Sequence, residues 1–174
     1  MYVIAGVTGH TGRVVAETLL AQGEKVRVIV RDAKQGEPWK QKGAEVAVAQ
    51  LGDAAAVTKA LTGAKGAYLL LPPRFDVEDM VAAQRPVADA LAEAVRKSGV
   101  PHVVFLSSFG AELGDGTGPI QSLHYAERTL GAASKNITFL RAAYFIENFA
   151  SVLPVTQGGV LPTFMTADRR IPMI

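Results

Sequence analysis

Cysteine is absent from these 174 residues. That excludes disulfides, thiolate metal centres and cysteine nucleophiles together. Histidine is scarce: His10, His102 and His124 stand far apart, with none of the spacing that metal ligands require. Charge is short as well. Asp, Glu, Lys and Arg make up 20% of the chain against about 25% in an ordinary domain, and the net charge is only +2. The basic residues are scattered, with no run beyond Arg169-Arg170, so nucleic-acid binding as a main activity is poorly supported. Long apolar runs are missing too. The stretch Ala67–Leu71 is far too short to cross a bilayer, and no basic, apolar leader precedes Tyr2. These absences lead to the expectation of a cytoplasmic protein with no membrane partner, no nucleic-acid partner and no metal.

What is present is apolar and glycine-rich: 49% hydrophobic residues and 17 glycines, in a chain long enough for one well-buried domain. The most informative stretch is the start. An apolar run, Tyr2 to Ala5, leads into Gly6, Gly9 and Gly12, and a helical pattern follows with Val14, Val15, Thr18 and Leu19. A strand, a glycine turn and a helix aim the unpaired N–H groups of the helix at a phosphate. The spacing is GxxGxxG and not GxGxxG, so position carries more weight than the motif. Each glycine has a role to fill: Gly6 for the tight turn, Gly9 for close approach to a pyrophosphate, Gly12 for packing helix on strand. Thr8 and Thr11 add hydroxyls for phosphate oxygens. The plain alternative is a strand–helix turn that binds nothing.

Downstream, short β-rich runs alternate with helical ones. Strands are expected at Lys25–Val30, Glu45–Ala49, Ala67–Leu71, His102–Ser107 and Ile137–Arg141. Asp53 is positioned to cap a helix reaching Leu61. A long helix is expected from Val77 to Ser98, entered from Asp76 and kinked or broken by Pro86. Another is expected over Ile120–Ala133, after a glycine-rich loop from Phe109 to Pro119. Such alternation implies an α/β fold: a Rossmann-type, doubly wound parallel sheet, order 3-2-1-4-5-6, with helices on both faces. Beyond Arg141 the pattern weakens to one more candidate helix, Phe145–Leu153, and short apolar pieces over Gly158–Ile174. The expected division is a nucleotide-binding domain over 1–150, then over 151–174 the start of an incomplete C-terminal substrate region.

In a dinucleotide fold the end of the second strand selects the cofactor. An acid there binds the ribose hydroxyls of NAD, and an arginine accommodates the extra phosphate of NADP. Here the strand ends Val30-Arg31-Asp32, with Arg31 at the expected interval of 19 residues after Gly12. Its guanidinium can grip phosphate through paired hydrogen bonds. NADP is therefore expected in preference to NAD. Asp32 offers two further readings, ribose ligand or cap of the next turn, and Arg31 itself has the plain reading of a solvated strand-end charge.

An ordered set of motifs spans nearly the whole chain: Gly-Val-Thr-Gly-His-Thr-Gly at 6–12, Val-Arg-Asp at 30–32, Phe-Leu-Ser-Ser at 105–108, Gly-Thr-Gly-Pro at 116–119, Phe-Leu-Arg at 139–141 and Tyr-Phe-Ile-Glu-Asn-Phe at 144–149. The set resembles the NmrA-like branch of the atypical short-chain dehydrogenases/reductases, which includes NAD(P)H:quinone oxidoreductases. The resemblance implies that Gly6, Thr8, Gly9, His10, Thr11 and Gly12 border the pyrophosphate, with Arg31 at the adenosine end. It implies that Gln50, standing where an aspartate is usual, meets the adenine. Leu71 and Pro72 would line the nicotinamide-side crevice, and Asn148 would sit near the nicotinamide–substrate end.

The catalytic pair departs from the family pattern. Classical short-chain dehydrogenases/reductases carry Tyr-x-x-x-Lys on the helix after the fifth strand, two groups on one helix face. This chain has His124-x-x-x-Arg128, with Tyr125 one position late and about 100° around the helix. His124 can donate a proton near neutral pH, Arg128 can hold ribose hydroxyls, and Ser107 or Ser108 can orient a substrate carbonyl. The plain reading is an exposed helix pair, with serines that satisfy strand-end backbone. The expected function is NADPH-dependent hydride transfer to a quinone or similar small conjugated carbonyl. The rival is a non-catalytic NADP(H) sensor or regulator acting through protein–protein contacts.

Overall fold

The computed structural model describes residues 1–74, 76–151, 154, 159, 170 and 172–174. Six strands form one parallel sheet: β1 (Tyr2–Ile4), β2 (Val26–Val30), β3 (Glu45–Val48), β4 (Gly66–Leu70), β5 (Val103–Ser108) and β6 (Ile137–Ala142). Their order is β3-β2-β1-β4-β5-β6, so the doubly wound expectation holds. Helices α1 (His10–Ala21), α2 (Ala33–Gln41), α3 (Ala54–Leu61), α4 (Met80–Ser98) and α5 (Gln121–Ala133) make the crossovers. The winding direction reverses between β1 and β4, and a crevice opens there beyond the strand ends.

The sheet separates two apolar layers. Val3, Leu69, Val103 and Phe105 pack on one face with Val57 and Leu61 of α3, Leu91 and Val95 of α4, and Ala126 and Leu130 of α5. Ile4, Val28, Val30 and Tyr68 pack on the other with Ala16 of α1 and Trp39 of α2. The near-continuous apolar strands suit a sheet buried on both faces. Over β5 and β6 the second face is open among the described residues. Leu140 remains 51% exposed and α1 contributes a 57% exposed Val14. A cavity of about 810 Å³ lies there, floored by Tyr68, Leu106 and Leu140.

Three local features differ from expectation. Helix α2 was not anticipated, because its sequence AKQGEPWKQ contains glycine and proline and buries only Gly36 and Trp39. Its start is fixed by Asp32, whose carboxylate accepts from the Gln35 N–H at 3.0 Å. Helix α4 begins at Met80 and is capped by Asp79, which accepts from Ala82 N–H at 2.8 Å. Asp76 pairs with Arg74 instead, at 2.9 Å. Nor does Pro86 divide α4, which is one helix of 19 residues. Proline removes a single backbone bond, and burial of Ala88, Leu91, Ala94 and Val95 against the sheet and its neighbours outweighs that loss.

The candidate helix over Phe145–Leu153 is a 3-10 segment at Ile146–Ser151, with Val152 and Leu153 outside the described residues. Most of Gly158–Ile174 also lies outside them. Pro172–Ile174 runs beside Tyr144–Ile146, the Ile174 N–H donating to Tyr144 at 3.1 Å and Ile146 N–H to Ile174 at 3.0 Å.

Candidate functional site

The first turn is built by close approach. Gly6 takes φ +70°, a left-handed conformation that side chains disfavour. A Cβ on Gly12 would lie 2.5 Å from the carbonyl oxygens of Ala5 and Gly6, so helix α1 can seat on β1 only because Gly12 has none. Gly12 lies inside the first turn of α1, which begins earlier than the sequence pattern suggested, at His10. Gly9 has no such constraint: a Cβ there would meet only Gly6 oxygen, at 3.4 Å. No side chain caps α1 and no acid lies in its first turn, in contrast to Asp32, Asp53 and Asp79 on α2, α3 and α4. The first amides of α1 are thus open to an anion.

These amides border a groove of about 330 Å³. Gly6, Thr8, Gly9 and Thr11 form one wall, Ile29, Val30, Arg31 and Gln35 the far end, Ala49 and Leu51 the floor side, and Leu70, Pro72 and Pro73 the near lip. Arg31 is exposed and makes no ion pair among the described residues. Its neighbour Asp32 is engaged as the α2 cap. Tyr68 lies beneath the turn; burial pushes its phenol up in pKa, and a hydrogen bond with Thr11 opposes that. An adjoining crevice of about 190 Å³ is lined by Leu71, Pro73, Met80, Gln84, Ser108, Pro119, Ile120, Ser122 and Leu123. Pro73 belongs to both spaces, so groove and crevice share a lip.

The NmrA-like family pattern matches residues 2–172. The chain belongs to the NmrA-like family. Over 112 residues it is 30% identical to sterol demethylase protein B of Methylococcus capsulatus, covering 62% of this chain and 34% of that protein. It superposes on an NADPH-dependent quinone oxidoreductase of Escherichia coli, solved with NADPH, at TM-score 0.77 and 25% identity, over 91% of this chain and 54% of that one. Triphenylmethane reductase of Citrobacter sp. matches at TM-score 0.78 and 21% identity, over 91% and 55%. This NmrA-like chain therefore spans about half the length of these solved structures, and a smaller share of the curated relative.

Other residues expected at the site fall in several places. Gln50 is exposed and its carbonyl accepts from Asp53 N–H in a turn, while its neighbours Ala49 and Leu51 line the groove. Leu71 is buried and faces the crevice. His10 and Asn148, with Thr11, border the 810 Å³ cavity on the second face of the sheet.

The expected reacting residues do not converge. The Nδ1 of His124 lies 2.8 Å from the Ala111 carbonyl, in the β5–α5 loop. Arg128 is exposed, and neither lines groove or crevice. Tyr125 donates to Asp89 of α4 at 2.8 Å, with Arg85 over its ring. Ser107 is buried and donates to Glu127 of α5 at 2.6 Å. Glu127 also accepts from Arg141 of β6 at 2.9 and 2.6 Å. Burial works to raise the Glu127 pKa, yet the hydrogen bonds from Arg141 and Ser107, with the charges of Arg141 and His124, hold it below the usual carboxylate value. It is Ser108, the next residue on β5, that reaches the crevice.

Glu127 and Gln84 escaped the sequence reading because an acid or amide on an amphipathic helix reads as solvated. Among the described residues no group of three or more His, Asp or Glu could hold a metal, and no helix is long and apolar enough to cross a membrane.

Proposed function

We propose that residues 1–150 form an NADP(H)-binding unit and that the protein transfers hydride from NADPH to a quinone or similar small conjugated carbonyl. One observation carries the cofactor assignment. Arg31, with no ion-pair partner among the described residues, shares a groove with the open amides after Gly9, while the adjacent acid is occupied as a helix cap. A guanidinium at that end favours a cofactor with an extra phosphate over one with bare hydroxyls. The E. coli relative solved with NADPH supports the same reading.

The site's residues fit a dinucleotide. The first turn of α1 would hold the diphosphate through backbone N–H groups, Thr8 would add a hydroxyl, and the Leu71–Pro73 lip would exclude water from the nicotinamide end. The cofactor, when bound, supplies the hydride. The chain's own contribution is then position: Ser108, whose hydroxyl donates to the Phe109 carbonyl at 3.1 Å, would have to turn from that bond to orient an acceptor carbonyl in a mostly apolar crevice.

The second reading is a non-catalytic NADP(H) sensor acting through protein contacts. What favours it is the placement of His124, Arg128 and Tyr125, none of which lines the crevice. A quinone panel separates the two. Steady oxidation of NADPH by simple benzo- and naphthoquinones supports the reductase, and a slower rate in His124→Ala would show that His124 assists from α5. Tight NADPH binding without turnover across the panel supports the sensor and refutes the reductase.

A further inference from the structure

Of two successive prolines, Pro72 lines the groove and Pro73 both groove and crevice, so together they make the lip on the groove side. Neither has a backbone N–H, so this lip can be anchored only through its carbonyl oxygens. The Pro72 carbonyl accepts from the Nε2 of Gln84 at 2.6 Å. Gln84 is 4% exposed, in the second turn of α4, where the other buried residues of the helix are apolar. A buried amide is costly unless it is bonded, and this bond runs to the one segment that walls both spaces.

We propose that Gln84 is a positioning residue: its amide sets the height of the Leu71–Pro73 lip and thereby the alignment of the reacting ends of the two ligands. This rests on the proposed hydride transfer for its consequence, but not for its geometry. Gln84 touches only the lip at the nicotinamide end, and the glycine turn and Arg31 that would hold the phosphates are left intact, so its loss acts more on alignment than on cofactor affinity.

Gln84→Met keeps length and apolar packing and removes the donor. Gln84→Glu removes it at neutral pH and restores it when the carboxyl is protonated. Single-turnover oxidation of bound NADPH by a benzoquinone is expected to slow about tenfold or more in Gln84→Met, the loss of one hydrogen bond's alignment. The NADPH Kd is expected to change less than about threefold, well under one tenfold step. Gln84→Glu is expected to be slow at pH 8 and to recover toward the wild-type rate as pH falls toward its carboxyl pKa, each rate taken relative to wild type at the same pH. A wild-type rate in Gln84→Met, or a Kd that rises in proportion to the fall in rate, overturns the proposal.

Amide exchange at Leu71 and Arg74, which flank the prolines, needs neither turnover nor ligand. It is expected to be faster in Gln84→Met at unchanged global stability, and unchanged exchange overturns the proposal. Absence of NADPH oxidation in the wild type refutes the reductase reading alone, leaving exchange to decide the role of Gln84.

Discussion

Replacing Glu127 by Gln probes a buried carboxylate that ties α5 to β5 and β6. Glu127 accepts three hydrogen bonds, two from Arg141 and one from Ser107. The amide can keep an acceptor for Ser107, but it turns an N–H₂ toward a guanidinium that has only donors. Breaking a fully buried ion pair costs about 3–5 kcal/mol. Here the Arg141 side chain is 41% exposed and has Glu112 at 3.3 Å as a second partner. Solvent and that second acid screen the loss, so about 2 kcal/mol is expected at pH 7. For a chain of this size that lowers the melting temperature by roughly 4–8 °C.

The pH dependence has a definite sign. The folded-state pKa of Glu127 lies below the ordinary 4.5, so its contribution is complete above that value and is lost as pH falls through the lowered one. Urea denaturation of the two proteins is expected to differ throughout pH 7 to about 5.5 and to converge at more acid pH. No difference at pH 7, or a difference that persists unchanged to pH 3, refutes the reasoning.

Gly12→Ala places a methyl 2.5 Å from two backbone carbonyls; a loss of about 2–3 kcal/mol is expected from forced separation of α1 from β1, read by urea denaturation. Asp32→Ala removes the α2 cap; it is expected to cost about 1 kcal/mol and to leave NADPH affinity unchanged. A fall in NADPH affinity without loss of stability would make Asp32 a ribose ligand instead.

The fold was legible where local chemistry and tertiary structure agree. Apolar runs gave six strands, Asp53 announced α3, and the glycine turn marked the reversal beside β1. Helix α2 is hidden in the sequence because its buried face is one indole, Trp39, and one glycine, Gly36, set close on Val46 of β3, and these make no apolar period. The α4 start was misplaced because Asp76 and Asp79 look alike in sequence, and only the fold shows that Asp76 pairs with Arg74. At the site, the groove draws on four separate stretches of chain. The glycine turn, Arg31 and Pro72 were legible from local pattern, whereas Ile29, Val30, Gln35, Ala49, Leu51, Leu70 and Pro73 are brought there only by the fold. Ser107, Glu127 and Arg141 are likewise joined only by the fold. Ser107 stands opposite Arg141 across β5 and β6, and α5 brings Glu127 above both. No spacing in the sequence encodes that triangle, nor the reach of Gln84 back to Pro72.

The central claim is a dinucleotide groove tuned by Arg31 for NADP(H). Parallel titration of the protein and of Arg31→Ala with NADPH and NADH, followed by nicotinamide fluorescence, tests it most directly. NADPH is expected to bind the unaltered protein about tenfold or more tighter than NADH, the scale of a charge-assisted phosphate contact. Arg31→Ala is expected to bring the two constants together by weakening NADPH alone. Equal affinities in the unaltered protein, or an NADPH constant indifferent to Arg31→Ala, would contradict the account.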